Sequence, residues 1–331
     1  MRTIAFFNNK GGVGKTSLVY HVAWMLSELG INVLAVDLDP QSNLTSAFLT
    51  EDELERVWPE GAGKHPRTMM GAVDRLSDSL GDIEPPEPWA CGERISLIPG
   101  DLGLSLFEDR LSEAWSQCTD DNPRTAGIGF RTISAFYRIV ASVGAKVDAD
   151  IGLIDVGPNI GALNRSALIA CDAVVVPLAA DMFSLQGLRN LGPTLRQWRG
   201  GWSDRKVRAT VPKDLPLPSG AMEPLGYVLL NPSVRENRPV KAYGRWAGRI
   251  PGVYETEVLA QAPSGATKPE DDRNCIAMVK HFKSLMPLAQ DARKPMFLLK
   301  PADGAIGGHA GAVSECYSQF QLLTRALLDR L

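Results

Sequence analysis

The stretch Phe6-Phe7-Asn8-Asn9-Lys10-Gly11-Gly12-Val13-Gly14-Lys15-Thr16-Ser17 leaves few options for the fold around it. Residues 4–7 are an apolar run that reads as a short buried strand. After the stretch, Leu18, Val19, Val22, Ala23, Leu26 and Leu29 recur at helical spacing. Strand, glycine-rich turn, Lys-Thr and helix is the context in which a glycine pattern becomes a phosphate cradle. Glycines let successive N–H groups turn inward without a Cβ clash, and the helix N-terminus adds partial positive charge. Gly11, Gly12, Val13, Gly14, Lys15, Thr16 and Ser17 make up the expected cradle. Lys15 would reach the β- and γ-phosphates and the Thr16 hydroxyl would sit on Mg²⁺. The usual pattern, G-x-x-x-x-G-K-[ST], has a first glycine; here Asn9 holds that position and Lys10 follows it.

The rest of the chain fits a sheet built on that loop. Residues 31–36 form a second apolar run ending in Asp37-Leu38-Asp39-Pro40, so the first 40 residues read as a right-handed βαβ unit. Further strands are expected at 95–100, 151–155, 173–177, 225–230 and, briefly, 295–299. Helices are expected at 68–80, 130–143, 163–170, 184–198, 239–247, 275–285 and 313–331, with Asp101 capping the one that follows the 95–100 strand. Residues 51–92, that one helix apart, and 200–223 read as inserts, the second an exposed Pro- and Gly-rich excursion. Alternation of strand and helix predicts an α/β fold, one doubly wound, mainly parallel sheet spanning residues 1–331 as a single domain.

Composition narrows the function class. No apolar run approaches the ~18 residues of a membrane span. The chain enters its first strand at once, so no signal peptide is expected and the cytoplasm is the natural compartment. Five scattered cysteines and four histidines show no metal-ligand or nucleophile spacing. Net charge is −3, yet between Arg189 and Arg249 twelve Lys/Arg face four acids, so the remainder carries −11. Such asymmetry suggests a basic face with an anionic partner.

Three carboxylates lie where strand ends would meet the loop. Asp155 ends an apolar strand, and could hold Mg²⁺ through water or serve as a turn carboxylate. Asp37 and Asp39 share a side if their strand continues; Asp39 would position water and Asp37 would support the metal shell or the structure, with a plain D-x-D-P turn the bland alternative.

Together, K-G-G-V-G-K-T-S, V-D-L-D-P-Q-S-N and I-D-V-G-P-N-I-G resemble the ParA/MinD group of deviant Walker-motif P-loop ATPases. The resemblance is greatest to ParA-type partitioning ATPases without an N-terminal DNA-reading domain, and Ala289-Gln290-Asp291-Ala292-Arg293-Lys294-Pro295-Met296 extends it toward the C-terminus. It implies a Mg²⁺-dependent ATPase, slow and stimulated by a ParB-like or other partner protein. It implies an ATP-sandwich homodimer in which Lys10 crosses to the partner's phosphates; a solvated loop lysine is the bland alternative. Asn231 matches a position that contacts adenine, or else it caps the Asn-Pro turn. Residues 156–161 match a γ-phosphate-sensing loop, though Gly157 stands where a proline is usual.

The family also binds DNA non-specifically through a basic surface, here Arg235, Arg238, Lys241, Arg245 and Arg249, with nucleoid association as a consequence. Lys241, Arg245 and Arg249 recur every fourth residue and would share a helix face, which in most proteins is merely solvated. A membrane anchor is not expected, because the amphipathic C-terminal helix carries few basic residues. The competing reading is an ATP-gated switch that docks a protein rather than DNA, through residues 51–92 and 200–223. An ATP-driven ligase or reductase has less support, since no second-substrate constellation is present.

Overall fold

The computed structural model describes every residue except 62, 79, 209–210 and 232–239; for Asn231 and residues 240–243 it describes the backbone alone. Its strands are β1 (Arg2–Phe6), β2 (Val33–Asp37), β3 (Trp89–Gly92), β4 (Ile95–Ile98), β5 (Ile151–Asp155), β6 (Ala173–Ala179), β7 (Glu223–Asn231) and β8 (Cys275–Lys280). They form one sheet in the order β3-β4-β2-β5-β1-β6-β7-β8, parallel throughout except for the edge hairpin β3–β4. The chain fills one side of β1 with β2 to β5, β5 returning to the place beside β1, and then crosses to the other side with β6. That reversal beside β1 is where a doubly wound sheet opens a crevice at its C-terminal edge.

Helices cover both faces. In chain order they are α1 (Lys15–Glu28), α2 (Asn43–Phe48), α3 (Glu51–Val57), α4 (Met69–Ser77), α5 (Phe107–Gln117), α6 (Pro123–Ile133), α7 (Ala135–Lys146), α8 (Ala162–Ile169), α9 (Met182–Arg208), α10 (Val240–Ala247), α11 (Ile250–Val253), α12 (Met286–Ala292) and α13 (Gly308–Leu328). Strand side chains alternate between two cores, as a pleat buried on both faces requires. Ala5, Leu34, Val36, Ile154, Val174 and Leu229 pack under α4 to α9. Ile4, Phe6, Val33, Ala35, Leu153 and Val228 pack under α1 and α13.

Several expectations are corrected. Residues 275–280 pair with β7 as a parallel strand and are not the start of a helix. Residues 296–298 are a 3₁₀ turn, not a strand. Within 51–92 the chain forms α3 and β3 besides α4; Thr50 and Glu53 close a reciprocal capping box at the start of α3, satisfying two N–H groups. The helix expected over 130–143 is two helices that break at Ser134. The excursion begins as helix: α9 runs on to Arg208 through Pro193, and Trp202 is fully buried, its Nε1 donating to Pro218 O at 3.0 Å. Asp101 caps as expected, accepting from Gly103 N at the head of the 3₁₀ turn Leu102–Leu106. Among the described residues no helix is long and apolar enough to cross a membrane.

One contact ties α1 to the C-terminal segment. His21 is fully buried, with Nδ1 2.7 Å from Ser17 O, Nε2 accepting from Met296 N at 3.1 Å, and its ring stacked on Phe320. Both ring nitrogens are used by the neutral form, and burial pushes the pKa down from 6.5 to about 4, against the pull of Ser17 O. The unfolded chain therefore takes up this proton first. Stability from His21 is complete above pH 6.5 and is lost as pH falls toward 4, by an amount on the order of 3 kcal/mol. In urea titrations, His21→Gln is expected to flatten the decline between pH 7 and 5 relative to wild type; an equal decline in both chains would refute the assignment.

Candidate nucleotide site

Register brings the chemistry together. Phe6, Asp37 and Asp155 stand abreast at the ends of β1, β2 and β5, and the glycine-rich loop leaves from Phe6. Asn8 fixes the loop's start: buried, it donates from Nδ2 to Pro177 O at 2.7 Å and accepts from Lys10 N at 2.9 Å. Sequence reading passes over Asn8, because its partner on β6 is 169 residues away. Gly14 caps α1 at φ 77°, a left-handed conformation, and a Cβ there would lie 2.9 Å from Leu230. The positive φ is what favours glycine here, while the Leu230 methyl could shift to admit a Cβ.

The two lysines of the loop point to different places. Lys15 is turned inward and buried, its Nζ 3.4 Å from the Lys10 carbonyl. Burial lowers its pKa, while Asp155 and Asp39 oppose that shift. Lys10 is turned outward and donates to Asp181 Oδ2 at 2.5 Å, with its ammonium 5.9 Å from the Phe183 ring centre. Asp181 also accepts from Ser184 N through Oδ1 at 2.8 Å at the start of α9. Burial pushes the Asp181 carboxyl up, but Lys10 and Ser184 outweigh it and hold the group below its ordinary value. Nothing local in the sequence marks Asp181 as the lysine's partner.

The carboxylates differ sharply in how they are satisfied. Asp37 Oδ2 accepts from Thr45 N at 2.8 Å and Thr45 Oγ1 at 2.7 Å, and its Oδ1 accepts from Asp39 N at 3.2 Å. Thr45 Oγ1 in turn accepts from Gly100 N at 2.8 Å. These bonds support the structural alternative for Asp37: it ties the β2 turn to α2 and to the end of β4. The strand stops at Asp37, so Asp39 belongs to the turn, accepting from Gln41 N at 3.0 Å. Gly157 faces Asp39: a Cβ there would come within 3.3 Å of Asp39 Oδ1. The departure from proline at 157 leaves room for this carboxylate.

Asp155 is the exception. Both its oxygens are buried without a hydrogen-bond partner of full geometry, although the Thr16 hydroxyl and Lys15 are near enough to favour its ionised form. Burial first, and then the Asp37 charge, drive its pKa far above the usual carboxylate range. An orphaned buried carboxylate is costly, and its presence calls for a cation or a proton. Among the described residues no three His, Cys, Asp or Glu side chains are set to hold a metal unaided. A hard cation here would take oxygens from Asp155 and Thr16, with phosphates and water completing the shell, which is how Mg²⁺ is commonly bound.

A cavity of about 370 Å³ opens beside the loop, lined by Gly14, Ser17, Leu230, His281, Phe282 and Met286 among others. Its size suits a nucleoside. The backbone of Asn231 stands beside Lys280 at the same edge; its side chain is outside the description. Sequence reading misses the 281–286 wall because it takes 275–285 for one helix.

A family model described as an AAA domain matches residues 1–204. The chain is 29% identical over 211 residues to the chromosome partitioning protein ParA of Caulobacter vibrioides, covering 62% of this chain and 66% of that one. It is 29% identical over 199 residues to protein IncC of Escherichia coli, covering 60% of this chain and 47% of that one. This chain belongs to the ParA/MinD family of P-loop ATPases. The match spans 47% and 66% of these two relatives' own lengths, so the chain covers less than two thirds of either. Two solved structures share the fold: a structural-genomics target from Corynebacterium diphtheriae (TM-score 0.72, 24% identity, covering 100% and 98% of the two chains) and apo McdA of Cyanothece (0.60, 18%, 99% and 99%). In these as in the present family member, the fold is doubly wound and mainly parallel.

The basic segment is only partly available to a partner. Arg196 donates to Glu257 O, Arg199 to Ala221 O and Met222 O, Arg205 to Trp115 O and Gly201 O, and Lys206 to Ser219 O. Four of the twelve cations are therefore spent on carbonyls that pin α9 and the residues after it. Arg245 and Arg249 are exposed and flank Trp246 at 5.4 and 5.3 Å. α10 stops at Ala247, so Arg249 lies past its end rather than on its face. Arg235 and Arg238 fall outside the described residues, as does the side chain of Lys241.

Proposed function

We propose that this chain is a ParA-type, Mg²⁺-dependent ATPase that dimerises around ATP and uses the cycle to partition or position DNA or another cargo. The observation that carries this reading is the outward Lys10, held at the mouth of the site by one carboxylate while Lys15 fills the cradle. A second copy bringing phosphate to that mouth offers Lys10 a stronger anion than Asp181, through charge-assisted bonds present only while the γ-phosphate is attached. Phe183, two-thirds exposed beside Lys10, supplies apolar surface for the same approach. Within one copy, Gly11 to Ser17 would cradle the phosphates, with Lys15 on the β- and γ-oxygens and the adenine in the 281–286 cavity. Thr16 and Asp155 would hold Mg²⁺, which when bound neutralises charge on the β- and γ-oxygens. Asp39, buried and facing the loop after Asp155, would orient the attacking water. A partner protein would stimulate this slow hydrolysis. Molecular mass in solution with ATP and with ADP tests the reading: ATP should double the mass, and a wild type that stays monomeric would overturn it.

For DNA, Arg245 and Arg249 are the described side chains that support contact with phosphates. The double variant Arg245→Glu/Arg249→Glu is expected to weaken non-specific DNA binding at least ~10-fold and to lower the salt slope by about one per lost contact. The four cations tied to carbonyls favour a second reading, an ATP-gated protein-docking switch, because they shrink the free basic surface. Unchanged DNA binding in the double variant would select it.

A further inference from the structure

The loop that leaves Asp155 runs past the Asp39 carboxylate at Gly157 before α8 begins, and two side chains hold it from the other side. Asn164, fully buried in the first turn of α8, donates through Nδ2 to Gly157 O at 2.8 Å and to Asn159 O at 2.7 Å. Its own oxygen is buried and has no partner, so the loop alone fixes the amide's orientation. Glu108, the second residue of α5, accepts from Ala162 N at 2.5 Å and Leu163 N at 2.8 Å. These are first-turn N–H groups of α8, which no intrahelical carbonyl can satisfy. Glycine at 161 makes the approach feasible, since a Cβ there would collide with the Glu108 carboxylate.

We infer that Asn164 and Glu108 are positioning residues for the nucleotide-dependent loop, and that Glu108 passes the loop's movement to α5. The inference rests on the proposed ATPase reading. Gly157 lies against Asp39 on the front of the loop, so the 157 backbone is where a terminal phosphate between Lys15 and Asp39 would press. Behind it, Asn164 joins residues 157 and 159 into one unit with α8. If α8 shifts toward or away from the phosphate, it must either drag α5 along or break both Glu108 bonds. Two buried N–H groups left without acceptors make breakage expensive. The linkage does not end at Glu108. Arg165 on α8 lies over the Trp115 ring of α5 at 4.4 Å, and Arg205 of the extended α9 lies over the same ring at 3.7 Å. Phosphate state is thereby tied, through α5, to the outer layer that carries residues 200–223.

Full-length wild type, Asn164→Ala, Glu108→Ala and Glu108→Gln are compared in three measurements. These are steady-state hydrolysis, affinity for ADP and for ATPγS, and hydrogen exchange of residues 156–163 and 107–117 with each nucleotide. Asn164→Ala is expected to lower kcat at least tenfold while ADP affinity stays within twofold, because the cradle itself is untouched. Glu108→Ala is expected to abolish the ATPγS–ADP exchange difference in α5 while the difference in residues 156–163 persists. A folded Asn164→Ala with wild-type kcat, or an α5 difference that survives Glu108→Ala, overturns the inference. A merely structural role would lower melting temperature without this separation between loop and helix. If Asn164→Ala does not fold, Glu108→Gln at the part-buried position carries the test, with a reduced α5 difference expected and an unchanged one refuting. A wild type that shows no ATPγS–ADP difference anywhere instead overturns the ATPase reading beneath it.

Discussion

Asp155→Asn is expected to make the ligand-free protein more stable and to lower Mg²⁺-dependent hydrolysis by on the order of 10³. Both effects follow from one fact, the carboxylate at the end of β5 with two buried, unpartnered oxygens. Without a cation the folded chain must either bury a charge or hold a proton there, and both cost free energy relative to water. An isosteric amide removes the charge and keeps the shape. The gain should be on the order of 1–3 kcal/mol, raising Tm by a few degrees. Its pH dependence can be worked out. Burial and Asp37 raise the folded pKa of Asp155 above its unfolded value, so the folded chain binds this proton more tightly. The favourable contribution is present at low pH and is lost as pH rises through the folded pKa, so the stability gap between variant and wild type should widen from pH 6 to 8. Differential scanning fluorimetry without nucleotide reads the gap; a variant that melts below wild type at pH 8 contradicts the orphaned-charge account. Mg²⁺ should raise ATP affinity in wild type and leave that of the variant nearly unchanged.

How much of this was legible in the sequence depends on whether a residue's partners are near it in the chain. The loop, α1, β2 and the parallel sheet follow from local pattern: apolar runs of strand length, helical spacing after Lys15, and glycines where φ is positive. The same pattern puts Asp37 and Asp155 at strand ends, and parallel register sets them side by side, whereas Asp39 falls in the turn because the strand stops at Asp37. Residues 275–285 misled because Ala277, Met278, Lys280 and Leu285 suit a helix, whereas pairing with β7 decides the outcome for 275–280. The capping box at Thr50 and Glu53 was a readable local signal for α3 that the Pro- and acid-rich surroundings obscured. Charge counting misled for a different reason. A sequence shows Arg199 and Arg205 as cations but not the carbonyls they reach, so twelve basic residues looked like a larger free surface than they make. Asp181, Asn8 and Glu108 act across large sequence separations, and no spacing rule points to them.

The Lys10–Asp181 pair yields the second large effect. Lys10→Ala should weaken ATP-dependent self-association by about 10² or more, the scale of losing a charge-assisted contact to phosphate in each half of a two-fold assembly. Nucleotide binding by the single chain should persist, since Lys15 and the cradle remain. Asp181→Asn should act in the opposite direction. In the ligand-free chain Lys10 and Asp181 are both mostly buried, with side chains 29% and 19% exposed, so separating them costs something before a second copy can be engaged. Removing that competing anion should tighten ATP-dependent association by ~3- to 10-fold, the scale of about 1 kcal/mol for a part-buried pair. Analytical ultracentrifugation in ATPγS across a protein dilution series measures both. The double variant Lys10→Ala/Asp181→Asn separates two roles for the carboxylate. If Asp181 acts only by restraining Lys10, the double variant associates as weakly as Lys10→Ala alone. If it associates appreciably better, Asp181 opposes the second copy directly, by its own charge facing incoming phosphate. The opposite-sign single variants, combined in this cycle, decide whether the pair is a restraint that ATP must displace or an ion pair that merely fills the mouth of the site.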